Sequence, residues 1–161
     1  MASELALSGA DRILSILPNI LLKRIYSKSR LDREVLIDTR TTNPIIFSLG
    51  TYIPVLRAWF TLTNFSNLTW RVQDFFAEIW IGQPLAVAIC FDKPLKITRK
   101  SKCEVFTKCI LNELQVVRLR EIKEKQNDAA IATIYIYALL ESKIGPSKFE
   151  ITLENRHVII E

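Results

Sequence analysis

The sequence predicts a mainly β protein: an immunoglobulin- or fibronectin-like two-sheet antiparallel sandwich, preceded by an N-terminal amphipathic helix and interrupted by a short helix near residues 113–126. Three observations carry this expectation. From about residue 33 apolar residues recur at every second position, the period of a half-buried strand. Some eight such runs are separated by turn signals roughly every ten residues. They do not alternate with helices, which argues against a doubly wound α/β fold. The chain has 161 residues, 49% of them hydrophobic and 24% charged, with four Gly and six Pro. That is enough apolar material for one sizeable core without disulfides or a metal. The expected organisation is a helical segment over residues 1–30 and a β domain over 31–161.

In the first segment Ser8 and Asp11 resemble a helix start, and Ile13, Leu14, Ile16, Leu17, Ile20, Leu21 and Ile25 recur at helical spacing. Pro18 should kink or divide the helix. A basic cluster follows, beginning with Lys23 and Arg24 and continuing through Lys28, Arg30 and Arg33. An apolar stripe beside cations can lie in a membrane interface, dock on a protein partner, or pack on its own domain.

The β region begins with "REVLIDTR" and "NPIIFSL", short strands broken at Asn43-Pro44 and Gly50. "VLRAWFTLTN" and "RVQDFFAEIWIG" alternate strongly and are expected to pair as a hairpin across the Asn64–Asn67 stretch. "LAVAICF" and "CEVFTKCIL" read as two further strands joined by a charged connection. "NELQVVRLREIKEKQND" leaves the period of two; Leu114, Val117 and Ile122 suggest the inner face of a surface helix. "AAIATIYIYALLES" is apolar on both faces, as for a central strand. Gly145-Pro146 turns it into "SKFEITLEN", and Asn155-Arg156 is expected to turn again into a terminal "HVII" strand.

Several chemistries lack their residues. There is no G-x-S-x-G elbow, phosphate-binding glycine loop or H-E-x-x-H. The one histidine, His157, is distant in sequence from the cysteines at 90, 103 and 109, which have no C-x-x-C spacing, so neither a zinc site nor a Cys/His nucleophile is expected. Asp74 and Glu78 share a strand face about 13 Å apart, too far for paired carboxylate catalysis. The expectation is no enzyme, no cofactor and no small-molecule substrate.

Net charge is +5, a modest preference for anionic partners. Its densest run, Lys93, Lys96, Arg99, Lys100 and Lys102, is a candidate anion-binding loop. It contains no aromatic residue for base stacking, so nucleic acid is not the expected partner. Asn64-Phe65-Ser66 and Asn67-Leu68-Thr69 both fit the N-glycosylation pattern. The N-terminus lacks the basic segment and unbroken apolar core of a secretory signal, and no window suits a transmembrane helix. The expected setting is therefore cytoplasmic or peripheral to a membrane. Both sequons then read as turn chemistry, with Asn64 and Asn67 adopting left-handed backbone or bonding nearby amides.

The order of "LTNFSN" (62–67), "AEIWIGQPLA" (77–86), "KPLKITRKSKCEVFTKCIL" (93–111) and "IYIYALLESKIGPSKFEI" (134–151) resembles the second type of late-embryogenesis-abundant protein, also called the water-stress and hypersensitive-response (WHy) domain. The turn that usually reads Asn-Pro-Asn in that family stands here as Asn64-Phe65-Ser66-Asn67. The resemblance implies a catalytically inert sandwich associated with desiccation and stress, protecting membranes or other proteins. It carries no ligand site across. The function expected is thus a stress-protection or interaction domain, with an anion-binding module using residues 93–102 as the alternative.

Overall fold

The computed structural model describes residues 19–42, 45–84, 89–90, 95–126 and 129–161, with backbone alone at 19, 83, 84, 89 and 90. Ile13, Leu14, Leu17, Lys93 and the Asn43-Pro44 break lie outside them. Two short helices, α1 (Asn19–Ile25) and α2 (Lys28–Glu34), lead directly into β1 (Val35–Thr39). The break between them falls at Tyr26-Ser27, where Ser27 is extended and its carbonyl accepts from the amides of Arg30 and Leu31, both at 3.0 Å. Then follow β2 (Ile45–Ser48), β3 (Val55–Asn64), β4 (Trp70–Ile81), β5 (Gln83–Pro84), β6 (Ile89–Cys90), β7 (Leu95–Ile97) and β8 (Ser101–Ile110). Helix α3 (Glu113–Gln126) precedes two long strands, β9 (Ala129–Ser142) and β10 (Gly145–Ile160).

The pairing differs from two separate sheets. The strands form one hydrogen-bonded sheet in the order β1-β3-β2-β10-β9-β4-β5, with β6 and β7 also on β4 and β8 on β3. The sheet is curled and open, a half-barrel. The link between its halves is a parallel pair in which Ile159 and Ile160 of β10 face Ile46 and Phe47 of β2. A bulge makes this continuity possible: pairing of β10 with β9 shifts between Leu153 and Arg156, and Asn155 takes up the left-handed conformation at φ 55°. The one extra residue bends the strand without ending it. The turn expected at Asn155-Arg156 is thus a kink inside a 16-residue strand.

The hairpin expected between β3 and β4 does not form. β3 bonds to β1 and β2 along one edge and to β8 along the other, so neither edge is left for β4, which joins β9. Residues 65–69 instead cross from one half of the curl to the other. The two strands meet through side chains: the rings of Phe60 and Phe75 touch edge-on with centroids 5.2 Å apart. Inward positions expected from alternation are buried on β4 (Phe75, Ala77, Ile79, Ile81), whereas β9, expected to be covered on both faces, buries one (Ala130, Ala132, Ile134, Ile136, Ala138, Leu140) and leaves Ile131 and Tyr135 of the other exposed. A bulge at Val72–Asp74 brings Trp70 and Val72 into the same core.

Helix α3 occupies its expected range. Its start is a reciprocal capping box, in which the Gln115 amide donates to Asn112 Oδ1 and the Asn112 amide to Gln115 Oε1, each at 2.9 Å. The buried face is Val116 and Leu119, whereas Leu114 and Val117 point to solvent. Three-residue spacing from 116 gives an inner face offset from the one the sequence suggested. Cys103 and Cys109, half-buried along one face of β8, are not joined by a disulfide.

The crossing at 65–69 is held by a buried polar cluster. Asn64 is fully buried and Ser66 nearly so. Asn64 Nδ2 donates to the carbonyls of Leu68 (2.7 Å) and Thr98 (2.8 Å). Its Oδ1 accepts from the Ser66 amide (3.0 Å) and hydroxyl (2.6 Å). The Ser66 hydroxyl in turn accepts from the Leu68 amide and from Trp70 Nε1, both at 3.2 Å. Every hydrogen and lone pair of the Asn64 amide is thereby used. This side chain bonds nearby backbone as expected, but neither Asn64 nor Asn67 has positive φ. Replacing Asn64 with Ala would take the amide donor from the Leu68 carbonyl and the acceptor from the buried Ser66 amide and hydroxyl, at a cost of about 2–4 kcal/mol. Urea unfolding of the variant checks this, and a loss under about 1 kcal/mol would show that water re-satisfies the cluster.

Candidate functional site

Strand directions decide which surface features share a neighbourhood. β3 ends where β1 and β8 begin, since Asn64 pairs with both Val35 and Ser101. β4 begins where β7 and β9 end, through Trp70 with Ile97 and Arg71 with Glu141. One end of the curl therefore gathers α1, α2, the 65–69 crossing, the β7–β8 turn and the β9–β10 turn. The opposite end carries residues 49–54, the close of β8 and the start of α3.

Backbone bonds fasten the first end together. The Phe65 amide donates to the Glu34 carbonyl (2.7 Å), and the Lys100 amide donates to the Ser66 carbonyl (3.2 Å). Lys100 itself is left-handed at φ 49°, with Ser101 Oγ closing the turn onto the Thr98 carbonyl at 2.7 Å. Thus the two basic sets that the sequence separates, Lys23 and Arg24 on one hand and Lys96, Arg99, Lys100 and Lys102 on the other, lie at the same end. All six are exposed. Sequence reasoning missed this convergence and also missed Lys148, which β10 adds from the far half of the sheet.

Helix α1 faces differently from its periodicity. Leu22 and Tyr26, an i,i+4 pair, are buried against the core, while Ile20 is 74% exposed, Leu21 44% and Ile25 40%. The described members of the apolar stripe read from the sequence, Ile20, Leu21 and Ile25, are therefore turned outward, and Leu22 with Tyr26 anchors the helix. Phe65, at the tip of the crossing, is 57% exposed. Around these apolar tips the charge is mainly positive. Glu34 is held by Arg30 Nε at 2.6 Å; that hydrogen bond raises the pKa of Arg30 above its ordinary value, against the smaller lowering effect of burial. The Arg30 guanidinium also lies 4.8 Å from the Tyr26 ring centre.

Between α1, α2 and the β9–β10 turn is an open cavity of about 490 Å³, with Lys23, Lys28, Lys148 and Asp32 on its walls and Leu31 and Phe149 among its apolar residues. Phe149 packs edge-on against buried Trp70 at 6.2 Å, so this wall is braced by the core.

The other sequence candidates are not assembled. His157 borders a smaller cavity of about 250 Å³ with Asp38 and Arg156, but the Asp38 carboxylate is taken by Arg156 at 2.8 Å and by the Thr39 amide at 2.7 Å. Trp59 lies between the Arg40 guanidinium (4.4 Å) and Phe106 (5.0 Å), and Trp80 packs on Tyr135 at 5.3 Å. Among the described residues no three His, Cys, Asp or Glu side chains cluster in a way that could hold a metal, and no helix is long and apolar enough to cross a membrane.

No protein-family model matches the chain, and no curated protein sequence matches it. Among solved structures it is similar to the Northeast Structural Genomics Consortium target SoR45, at 10% identity over 81% of this chain and 89% of that one, with a TM-score of 0.52. That likeness is one of fold alone. It is also similar, at a TM-score of 0.46, to a candidate late embryogenesis abundant protein, 8% identical over 94% of this chain and 87% of that one. The ApaA candidate from Bordetella pertussis is 11% identical over 78% and 91%, with a TM-score of 0.42.

The orientation of α1 makes a direct prediction. Leu22→Ala should lower stability by about 2–4 kcal/mol through the cavity it leaves, whereas Leu21→Ser should stay within about 0.5 kcal/mol. Denaturant midpoints of the two variants check it; equal losses would mean that the outward stripe is covered.

Proposed function

We propose that this protein is a non-enzymatic β domain that rests on anionic membrane surfaces through the end bearing α1, in a protective role of the kind implied by the late-embryogenesis-abundant type 2 resemblance. The observation that carries the reading is the outward face of α1. Leu22 and Tyr26 already fix the helix to the domain, yet Ile20, Leu21 and Ile25 remain exposed beside Lys23 and Arg24. Apolar side chains set among cations on a surface element suit the interfacial zone of a bilayer, where both can be satisfied at once. Phe65 and the cations of the β7–β8 turn extend the same character across that end.

The opposite end offers an apolar surface of a different kind. Tyr52, Ile53, Ile110 and Leu114 are exposed there, beside Lys108 and Glu113 at the close of β8 and the start of α3, without the run of cations that marks the α1 end. The basic 96–102 segment, the alternative anion-binding loop, becomes part of the proposed membrane face. Its role there is electrostatic attraction, each cation contributing about 1 kcal/mol near a charged leaflet. Protection follows from coverage: a domain lying on headgroups replaces water there with fixed polar groups.

Co-sedimentation of the full chain should show binding to phosphatidylserine-rich vesicles that weakens as salt rises, with little binding to phosphatidylcholine. Joint replacement of Ile20, Leu21 and Ile25 by Ser should weaken it by roughly tenfold or more while leaving the melting temperature unchanged. Unaltered binding by that variant, or binding indifferent to lipid charge, would overturn the reading.

A further inference from the structure

The cavity beside α1 has features that the flat membrane face does not require. Three ammonium groups reach it from three separate parts of the chain: Lys23 from α1, Lys28 from the start of α2 and Lys148 from β10. Among the described residues, none of the three is engaged in a salt bridge or hydrogen bond. Lys23 lies across the β9–β10 turn, its Nζ 4.0 Å from where a side chain on Gly145 would begin. Gly145 has a φ of +104°, a conformation disfavoured for other residues, so that turn is suited to a residue without a side chain. The floor is apolar and fixed, with Leu31 and Phe149 buried and Phe149 set against Trp70. A volume of about 490 Å³ falls in the range of small-molecule pockets, about 300–1,000 Å³.

We infer that this cavity is a phosphate site that takes the headgroup phosphate of a membrane glycerophospholipid. The inference rests on the membrane reading above and adds a specific ligand group to it. Lysine ammoniums are compact point charges that can close on a tetrahedral phosphate from several directions. Three Lys against the single carboxylate of Asp32 leave a net charge of two at the cavity, suited to one phosphate and poorly to a polyphosphorylated headgroup. The exposed apolar side chains of α1 stand next to Lys23, so a headgroup held here would have its acyl chains beside Ile20, Leu21 and Ile25.

The test compares vesicles of phosphatidylcholine carrying phosphatidic acid with vesicles brought to the same surface potential by oleic acid, a carboxylate. The full chain should bind the phosphatidic acid vesicles roughly fivefold more tightly, and Lys148→Ala should abolish that margin while Lys108→Ala, at the other end, preserves it. Lys148 is exposed, so its variant should melt with the wild type. Equal binding to the two vesicle types, or a margin that survives Lys148→Ala, overturns the phosphate site and leaves the membrane reading standing. If neither vesicle binds, the membrane reading fails, and titration with glycerol 3-phosphate followed by amide NMR decides the site alone. Saturable shifts around Gly145 and Lys148 that Lys148→Ala removes sustain it for a soluble phosphate ester; no such shifts overturn it.

Discussion

The buried amide of Asn64 is the constraint on which the geometry of this protein depends. It sits where β3 stops, and its four hydrogen bonds reach Ser66, Leu68 and the carbonyl of Thr98. Through Ser66 the cluster also receives Trp70, the first residue of β4. A chain that must cross between the two halves of a curled sheet would otherwise bury backbone groups without partners, each at a substantial free-energy cost. Asparagine resolves this because one side chain supplies two donors and two acceptors. The same bonds set the position of the β7–β8 turn, and the neighbouring Phe65 amide ties the crossing to the last residue of α2. The basic and apolar groups proposed to meet a membrane are thus mounted on a rigid junction.

The second organising element is β10. Its 16 residues run from the basic end to the opposite one, and the bulge before Arg156 lets it pair with β9 along most of its length and still reach β2. Beyond Ile160, the Glu161 amide and carbonyl continue the pairing with Phe47 and Leu49 at 2.8 and 2.9 Å. Arg57 Nη2 meets Ser48 Oγ at 2.5 Å and Glu161 Oε2 at 3.4 Å. This strand carries Lys148 into the cavity at one end and joins the two halves of the open sheet at the other. The two ends consequently differ in chemistry while sharing one core.

Much of the secondary structure was legible in the sequence because burial alternates with strand period. β3, β4, β9 and α3 fall where their patterns place them. Pairing was less legible. Alternation states which face of a strand is buried but not which strand lies beside it, so β3 and β4, adjacent in sequence and similar in pattern, read as a hairpin although both edges of β3 are occupied by others. In α1 periodicity alone left open which apolar positions face the domain, and packing selects Leu22 and Tyr26 as the buried pair while Ile20, Leu21 and Ile25 stay exposed. The candidate site was legible in parts. Lys23, Arg24 and the 96–102 cations stood out as charge runs, but their shared location depends on strand direction, and Lys148 sits in an ordinary alternating strand with no local signal.

Hydrogen exchange of the unmodified chain with and without phosphatidylserine-rich vesicles tests the central claim most directly, because it reports which surface meets the lipid without altering any residue. The account predicts slowed exchange confined to residues 19–31, 64–69, 98–102 and 143–149, with residues 50–54 and 106–117 unchanged. Protection centred on the latter segments, or no protection at either end, would contradict it.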